Sequence, residues 1–389
     1  MSGAAPGAAV PPVEVVVPVH QPTRPVGRAV ASVLRDPVGA GAIVVAHGLD
    51  PRALDAQLGP LAAEAGDRLR VVRLDDGRRS PAGPFNHGID EVRSEWFAIM
   101  GSDDWLEEGA LSAWLDHARR AAGAGSGPDV VLAPLRHQSE QDVPTPLPRH
   151  GRTAELDVVR DRLLYRTAPL GLLRTAAWRA QGAAFDADVA RGVDMETTAL
   201  LWSSPEIRVD YARHAPRYVI GADATDRVTL APGPLSEVLH AVRRTAAEPR
   251  LLDRPHAVRR ALAIKLARIH LMGVAIARTE TADVDALTPA DAEALHATAH
   301  ALTGLHPGWP LAFTAADRRL LEACADPQAG PEEIRRAARR RREAGLWARN
   351  VPRAPWRALD RESTLVRYLL TARDTRAVAA HRPPGGGGS

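Results

Sequence analysis

Lysine and cysteine are almost missing from this chain of 389 residues, which has one of each, Lys265 and Cys324. A single cysteine allows neither an internal disulfide framework nor a cysteine-rich zinc or iron–sulfur site. A phosphate loop of the Gly-Lys-Ser/Thr kind needs a lysine after glycine. Lys265 stands between Ile264 and Leu266, so that class is excluded. A Schiff-base enzyme would have to use the same lysine, which falls inside the helical run Ala261–Ala267. There is no His-Glu-x-x-His pair and no Gly-x-Ser-x-Gly elbow, and His87, His117 and His137 lack metal-ligand spacing. Zinc proteases and serine hydrolases therefore lose their signatures. No apolar run approaches the roughly 18 residues a spanning helix requires. Met1 to Pro12 has neither the basic start nor the apolar core of a signal peptide. A cytoplasmic protein is the expectation, with a peripheral position at the inner face of the membrane as a variant of it.

What is present is an α/β pattern. Val13–Val19 is a nearly continuous β-branched run, as in a strand buried on both faces. Residues 25–34 show helical spacing, Ala42–Ala46 reads as a strand, Pro51–Ala65 as a helix and Leu69–Leu74 as a third strand. A short helix over His87–Val92 leads to a fourth strand, Trp96–Met100, and Asp129–Ala133 reads as a further one. Repeated β-α-β units predict a mostly parallel sheet flanked by helices. In such sheets ligands bind beyond the carboxyl ends of the strands. Those ends read Pro18-Val19-His20-Gln21, His47-Gly48-Leu49-Asp50 and Gly101-Ser102-Asp103-Asp104-Trp105. Two adjacent carboxylates after a glycine suit a hard divalent cation. They equally suit the N-cap of a helix starting near Leu106.

The order of these segments resembles the family 2 glycosyltransferases of the GT-A fold over about residues 13–230. The opening strand, His20-Gln21-Pro22 and the helix end Ala31-Ser32-Val33-Leu34 are similar to that family's first unit. Asn86-x-Gly88, Trp96–Met100 and Gly101-Ser102-Asp103-Asp104-Trp105-Leu106-Glu107-Glu108-Gly109-Ala110-Leu111 resemble its Asn-x-Gly segment and metal-binding stretch. Gly192-Val193-Asp194-Met195-Glu196 sits where the family carries an acidic motif at a helix start, and Arg217-Tyr218-Val219 through Asp226-Arg227-Val228-Thr229 resembles the closing strand and loop.

The resemblance implies a metal-dependent, inverting sugar transfer from a nucleotide-diphosphate donor to a hydroxyl, of the hexosyltransferase type, in bacterial surface polysaccharide or glycoconjugate synthesis. It implies that Asp104, with Asp103, holds Mn2+ or Mg2+, and that Pro18, His20, His47, Asn86, Ser102, Asp103 and Arg227 contact the donor. Asp194 would be the general base, compatible with an N-cap role, and Glu196 the fallback. The chain departs from the family after strand two, where Ala46-His47-Gly48-Leu49-Asp50 replaces Asp-Asp-Gly-Ser. His47 can donate or accept a hydrogen bond but cannot imitate an ionised acid. Asp75-Asp76-Gly77 looks like the missing motif but follows strand three, where Asp-Gly is expected to make a turn. Arg78 and Arg79 could lend charge toward phosphate, although a solvated loop is the plainer expectation, and Pro81-Ala82-Gly83-Pro84 reads as a stiff rim. A competing class is a non-catalytic GT-A-like binding or scaffold protein with a degenerate donor site. Nucleotidyl transfer ranks third, since Gln21-Pro22-Thr23-Arg24-Pro25 is a poor phosphate loop.

The organisation expected is a disordered stretch 1–12, a GT-A domain 13–230, an α-helical C-terminal domain 231–382 and a flexible tail or linker 383–389. The helical part reads as Leu235–Ala247, Ala257–Ala277, Pro289–Leu302, Ala315–Ala325 and Pro331–Ala344. Its last helix carries Arg335, Arg336, Arg339, Arg340, Arg341 and Arg342, followed by Trp347 and Trp356. Such a run is usually a solvated face. The functional alternatives are contact with anionic lipid headgroups or with a polyanionic, glycan or lipid-linked acceptor. Net charge is only +3 and no recognition motif is present, so nucleic acid is not expected.

Overall fold

The valine run at the start shows how the molecule is layered. A computed structural model describes residues 10–380 apart from 124, 126, 224–232, 281–286 and 353–354. In it Val13–Val19 forms β1, with all its valines buried. Successive side chains of a strand point to opposite faces. Val13, Val15, Val17 and Val19 accordingly pack in one core with Val30 and Trp114, whereas Val16 joins a second core with Ile89 and Phe97. Gly41–His47, β2, divides in the same way, with Val44 on the first side and Ile43 and Val45 on the second. A strand with two apolar faces belongs inside a sheet covered by helices on both sides.

The main sheet has seven strands in the order β10-β6-β9-β4-β1-β2-β3. β1, β2, β3 (Leu69–Leu74) and β4 (Trp96–Ile99) run parallel. β6 (Val130–Leu132) and β10 (Val209–Tyr211) are parallel to each other, and β9 (Gly171–Arg174) lies antiparallel between β6 and β4. The parallel strands are joined through α1 (Val26–Leu34), α2 (Asp55–Ala65) and α3 (Ala82–Asp90). Gly88 on α3 permits close packing on the sheet, because a Cβ there would stand 2.3 Å from Val16 Cγ1 and 2.9 Å from Val45 Cγ2. After β4 the chain makes a short strand, β5 (Trp105–Leu106), then α4 (Ala110–Gly123). β5 joins a small second sheet in the order β5-β11-β7-β8, with β7 at Leu135–His137, β8 at Asp142–Val143 and β11 at Tyr218–Ile220.

Two boundaries differ from expectation. No helix starts near Leu106, since Trp105 and Leu106 pair with Val219 and Tyr218 and the next helix begins at Ala110. The Asp103–Asp104 pair is therefore not a helix cap. Ala82-Gly83-Pro84, read as a stiff loop, is the first turn of α3. Proline is tolerated there because first-turn N–H groups have no intrahelical partner.

Beyond α5 (Thr175–Ala180) and α6 (Met195–Trp202), the second half is helical: α7 (Leu235–Val238), α8 (His240–Ala247), α9 (Pro249–Leu252), α10 (His256–Leu266) and α11 (Met272–Glu280). Then follow α12 (Pro289–Leu305), α13 (Ala315–Ala325), α14 (Pro331–Glu343), α15 (Leu346–Asn350) and α16 (Thr364–Ala380). One apolar core runs without a break from Val16 and Phe97 of the sheet through Trp202 of α6 to Leu295 of α12 and Ile334 of α14. The helices are thus built onto one face of the sheet. The chain end returns to it as well. Glu362, 2% exposed, accepts from the Tyr165 hydroxyl at 2.9 Å, and Arg268 donates to the same hydroxyl at 2.9 Å. No helix among the described residues is long and apolar enough to cross a membrane.

Candidate functional site

Parallel pairing brings the ends of β1, β2 and β3 level, and β4 ends beside Val16 of β1. Val19 of β1 lies beside Ala46 of β2, and His47 lies beside Leu74 of β3. The segments leaving these ends enclose a cleft of about 1000 Å³, as expected at the carboxyl edge of such a sheet. Pro18 and His20 line it from β1, His47 from β2, Asp76 from the turn after β3, and Ser102, Asp103 and Asp104 from the segment after β4. Six of the expected donor and metal residues are therefore brought together.

The acidic pair is held by groups that sequence reasoning did not single out. Asp104 Oδ2 accepts from the Tyr218 hydroxyl at 2.5 Å, and Oδ1 from the Gly221 N–H at 2.8 Å. That hydroxyl also accepts from the Gly101 N–H at 3.1 Å. Burial, reinforced by the Asp104 charge, pushes the Tyr218 phenol well above its ordinary value, so it remains a donor at any working pH. Asp103 pairs with Arg24 at 3.2 Å. Arg28 donates to the Asp103 carbonyl at 2.5 Å and stacks on Trp105, 4.2 Å from the ring centroid. β11 comes so close that a Cβ at position 221 would sit 1.8 Å from the Asp103 carbonyl oxygen, which requires glycine. Arg24 lies in the loop between β1 and α1 and Arg28 in the first turn of α1, directly after the first strand; for Tyr218 no local signal existed.

His47 and Asp76 form a second polar centre in the same cleft. His47 Nε2 lies 2.8 Å from Asp76 Oδ1, and this bond holds the Asp76 carboxyl below its ordinary value. Asp76 also accepts the Arg78 N–H at 2.9 Å, so the expected turn is present. The turn also delivers its acid to the His47 side chain. Arg78 and Arg79 are exposed and line the cleft too, as do Pro81 and Pro84.

Other expected residues sit elsewhere. Asn86 is not among the lining residues, because its side chain bonds both ways with the Phe185 backbone, Nδ2 donating at 2.9 Å and Oδ1 accepting at 2.8 Å. Its place in the motif is structural, fastening the 185–194 loop to α3. Ser80 Oγ donates to the Val189 carbonyl in the same loop at 3.0 Å. Asp194 ends this loop and does not itself line the cleft. It stands at the N-cap position of α6, yet its side chain makes no cap bond, so the capping role is absent. Desolvation pushes its carboxyl up to about 6, against smaller opposing effects of its own N–H and of the Lys265 charge. Glu196 is also raised, by burial and then by Glu248 and Asp186. Arg227 and the rest of Asp226–Thr229 lie outside the described residues.

The donor set fits a hard cation with a small protein share. Among the described residues no group of three or more His, Cys, Asp or Glu side chains could hold an ion. Two carboxylates at a cleft remain. Magnesium-type ions are commonly held by one or two carboxylates, with water and phosphate oxygens completing the shell.

A mostly parallel sheet with an acidic pair at the carboxyl end of its fourth strand, followed by a short strand into a second sheet, defines a GT-A fold. Solved structures agree: S. aureus TarS residues 1–349 in complex with UDP-GlcNAc superimposes with a TM-score of 0.69 at 16% identity, covering 85% of this chain and 91% of that one. The same TarS fragment with UDP gives 0.67 at 15% identity, with the same coverage. Residues 14–176 match the sequence model of glycosyl transferase family 2. The succinoglycan biosynthesis protein ExoO of Rhizobium meliloti (strain 1021) is 33% identical over 115 residues, 30% of this chain and 32% of ExoO. The match thus spans about a third of that relative's length.

Proposed function

We propose that the chain transfers a sugar from a nucleoside-diphosphate sugar to a hydroxyl of a polysaccharide or glycoconjugate acceptor, with inversion at the anomeric carbon. The observation that carries this is the cleft itself. Asp103 and Asp104 face Arg24 across one end, and His47–Asp76 with His20 lie at the strand ends where a nucleoside would be read. A structural neighbour of the same fold was solved with UDP-GlcNAc.

Asp104 and Asp103 would hold a Mg2+ or Mn2+ ion, whose Lewis acidity neutralises charge on a departing diphosphate. Tyr218 and the Gly221 N–H orient Asp104 for that task. Arg24 balances Asp103 meanwhile, and Arg78 and Arg79 supply further positive charge at the cleft wall. Asp194 acts as general base, taking the proton of the acceptor hydroxyl as that oxygen bonds to the anomeric carbon and the bond to phosphate breaks. Its carboxyl at about 6 is mostly ionised at neutral pH and more basic than an ordinary aspartate, which suits a base working near pH 7. The arginine face of α14, where Arg336, Arg339, Arg340 and Arg342 are exposed, is the natural approach for a polyanionic or lipid-linked acceptor.

The test is single-turnover release of nucleoside diphosphate from a panel of nucleotide sugars, UDP-GlcNAc included. Asp194→Asn is expected to keep donor affinity and to lose turnover by about 10²–10⁴-fold, the usual contribution of a positioned base. Normal turnover in that variant would remove Asp194 from the mechanism.

A further inference from the structure

After β2, where the family resemblance leads to an acid, the chain has His47, and it brings an acid to that side chain from the turn after β3. The register that sets His47 beside Leu74 carries Asp76 to it, with His47 Nε2 2.8 Å from Asp76 Oδ1. Three features fix the carboxylate in place. Asp76 Oδ1 also takes the Arg78 N–H at 2.9 Å, and Gly77 turns the chain at a φ of 69°. Gly83 of α3 leaves the room, since a Cβ at that position would run into Asp76 Oδ2. The two side chains are 11% and 22% exposed, so the bond is sheltered, and both residues line the cleft.

The chemistry of the pair decides what His47 can read. An ionised carboxylate only accepts, so the proton between the two belongs to Nε2 of the imidazole. A neutral imidazole has one donor and one acceptor nitrogen, and the bond made by the first sets the tautomer. Nδ1 is left with its lone pair, and among the described residues no group bonds it. His47 lacks the charge of an acid, yet Nδ1 keeps what a ring N–H of a nucleobase needs, an acceptor. The strand order puts this acceptor on the nucleoside side of the cleft. β1 separates β2 from β4, which leads into Asp103 and Asp104, so the two strands lie two spacings, about 10 Å, apart. A diphosphate held at the acidic end would extend its nucleoside toward β2.

We propose that Asp76 is a positioning residue that fixes His47 as a hydrogen-bond acceptor, and that the pair selects donors whose base presents a ring N–H. Uracil, thymine and guanine do so. Cytosine and adenine present a ring lone pair at the same edge, and against His47 Nδ1 two acceptors would then face each other without a proton. Sites discriminate most sharply in this way, because a polar group of the site is left unpaired by the wrong ligand. The selection rests on the reading of the cleft as a nucleotide-sugar site; the tautomer of His47 does not.

Two measurements separate the tautomer from its use. Long-range ¹H–¹⁵N spectra of the free protein at pH 8, with His47 assigned by its absence in His47→Gln, should show Nε2 protonated and Nδ1 bare. A protonated Nδ1, or a mixture of tautomers, overturns the proposal. Titration with UDP, dTDP, GDP, CDP and ADP in the presence of Mn2+ then reads the selection. At least one of the first three should bind about tenfold or more tightly than both CDP and ADP, the cost of one unpaired acceptor. Asp76→Ala, which frees the tautomer, should reduce that ratio to about threefold or less. Adding His47→Asp to Asp76→Ala should restore the ratio, because an ionised acid accepts without a partner to orient it. An Asp76 that merely holds its turn would not be rescued by a change at position 47, so failure of the rescue overturns the positioning role. If a nucleotide binds but the ratio is absent in wild type or unchanged in Asp76→Ala, the nucleotide site stands and the selection falls. If no nucleotide binds, the site reading falls and the selection with it.

Discussion

Tyr218 and Asp194 place opposite demands on their surroundings. Tyr218 must stay protonated to donate to Asp104, and burial beside that carboxylate ensures it. Tyr218→Phe removes the hydroxyl that accepts from the Gly101 N–H and donates to Asp104. We expect nucleotide binding to weaken by about five- to thirtyfold, the equivalent of one or two net hydrogen bonds, measured by titration with UDP. As the proposed base, Asp194 must lose its proton to act. As pH falls through about 6 the carboxyl takes up a proton, so kcat should drop about tenfold per unit below that value and level off above it. The linkage to stability has the opposite sign. A carboxyl whose folded pKa is raised binds more protons folded than unfolded, so Asp194 penalises the fold most above pH 6 and least below the unfolded value of 3.8. Asp194→Asn should therefore be at least as stable as wild type at neutral pH, which a thermal melt would show.

At the scale of elements, β1 carries an acid where the pattern alone would place an apolar residue. Glu14 is 3% exposed, accepts the N–H groups of Arg93 and Ser94 at 2.6 and 2.9 Å, and pairs with Arg70 at 2.8 Å. Desolvation raises its carboxyl, but those bonds outweigh it and the net shift is downward from 4.5. The stability it contributes is present above that unfolded value and is lost as pH falls through the lower folded one. Glu14→Gln should cost about 2–3 kcal/mol in denaturant unfolding at pH 7, because a hydrogen-bonded charge is replaced and Arg70 loses its partner. Loss within a few tenths of a kcal/mol would show that the network contributes nothing.

The legible part of the fold was what short-range pattern controls. β1 and β3 fall at Val13–Val19 and Leu69–Leu74 as the β-branched runs indicate, and the boundaries of α13 coincide with Ala315–Ala325. The acidic pair was legible as well, because its strand, glycine and following apolar residues are contiguous. What was not legible depends on distant pairing. Trp105–Leu106 becomes a strand only because β11, more than a hundred residues later, lies beside it. Asp76 is a cleft residue only because β2 and β3 are in register, which brings His47 to it. The family resemblance of Asn-x-Gly implies a donor contact for Asn86, but the Phe185 backbone that occupies its side chain is remote in sequence.

The whole molecule joins a sheet half and a helical half through one apolar core and a returning C-terminal segment. Glu362, Tyr165 and Arg268 connect three parts of the chain, and Arg373 reaches the Pro148 carbonyl at 2.9 Å. Such polar connections within a buried setting favour one relative placement of the halves. The arginines of α14 fall into two groups. Arg341 is bound to Asp317 at 2.6 Å and Arg335 to the Leu287 carbonyl at 2.8 Å, whereas Arg336, Arg339, Arg340 and Arg342 are exposed. Leu346, Trp347 and Trp356 beyond them are exposed as well, at 81%, 73% and 79%. Reversing the four exposed arginines to glutamate should abolish cosedimentation with vesicles containing anionic lipid and leave nucleotide binding unchanged. Unchanged cosedimentation would leave the acceptor, or nothing, as the partner of that face.

The central claim is that the cleft at the ends of β1 to β4 is a cation-assisted nucleotide-sugar site. Calorimetric titration of UDP, UDP-GlcNAc and the corresponding nucleotides of other bases, with and without Mn2+, tests it in wild type and in Asp104→Ala. The account predicts binding of at least one nucleotide that strengthens with Mn2+ in wild type, with the Mn2+ effect lost in Asp104→Ala. Absence of binding by every nucleotide, or a Mn2+ effect that survives Asp104→Ala, would contradict it.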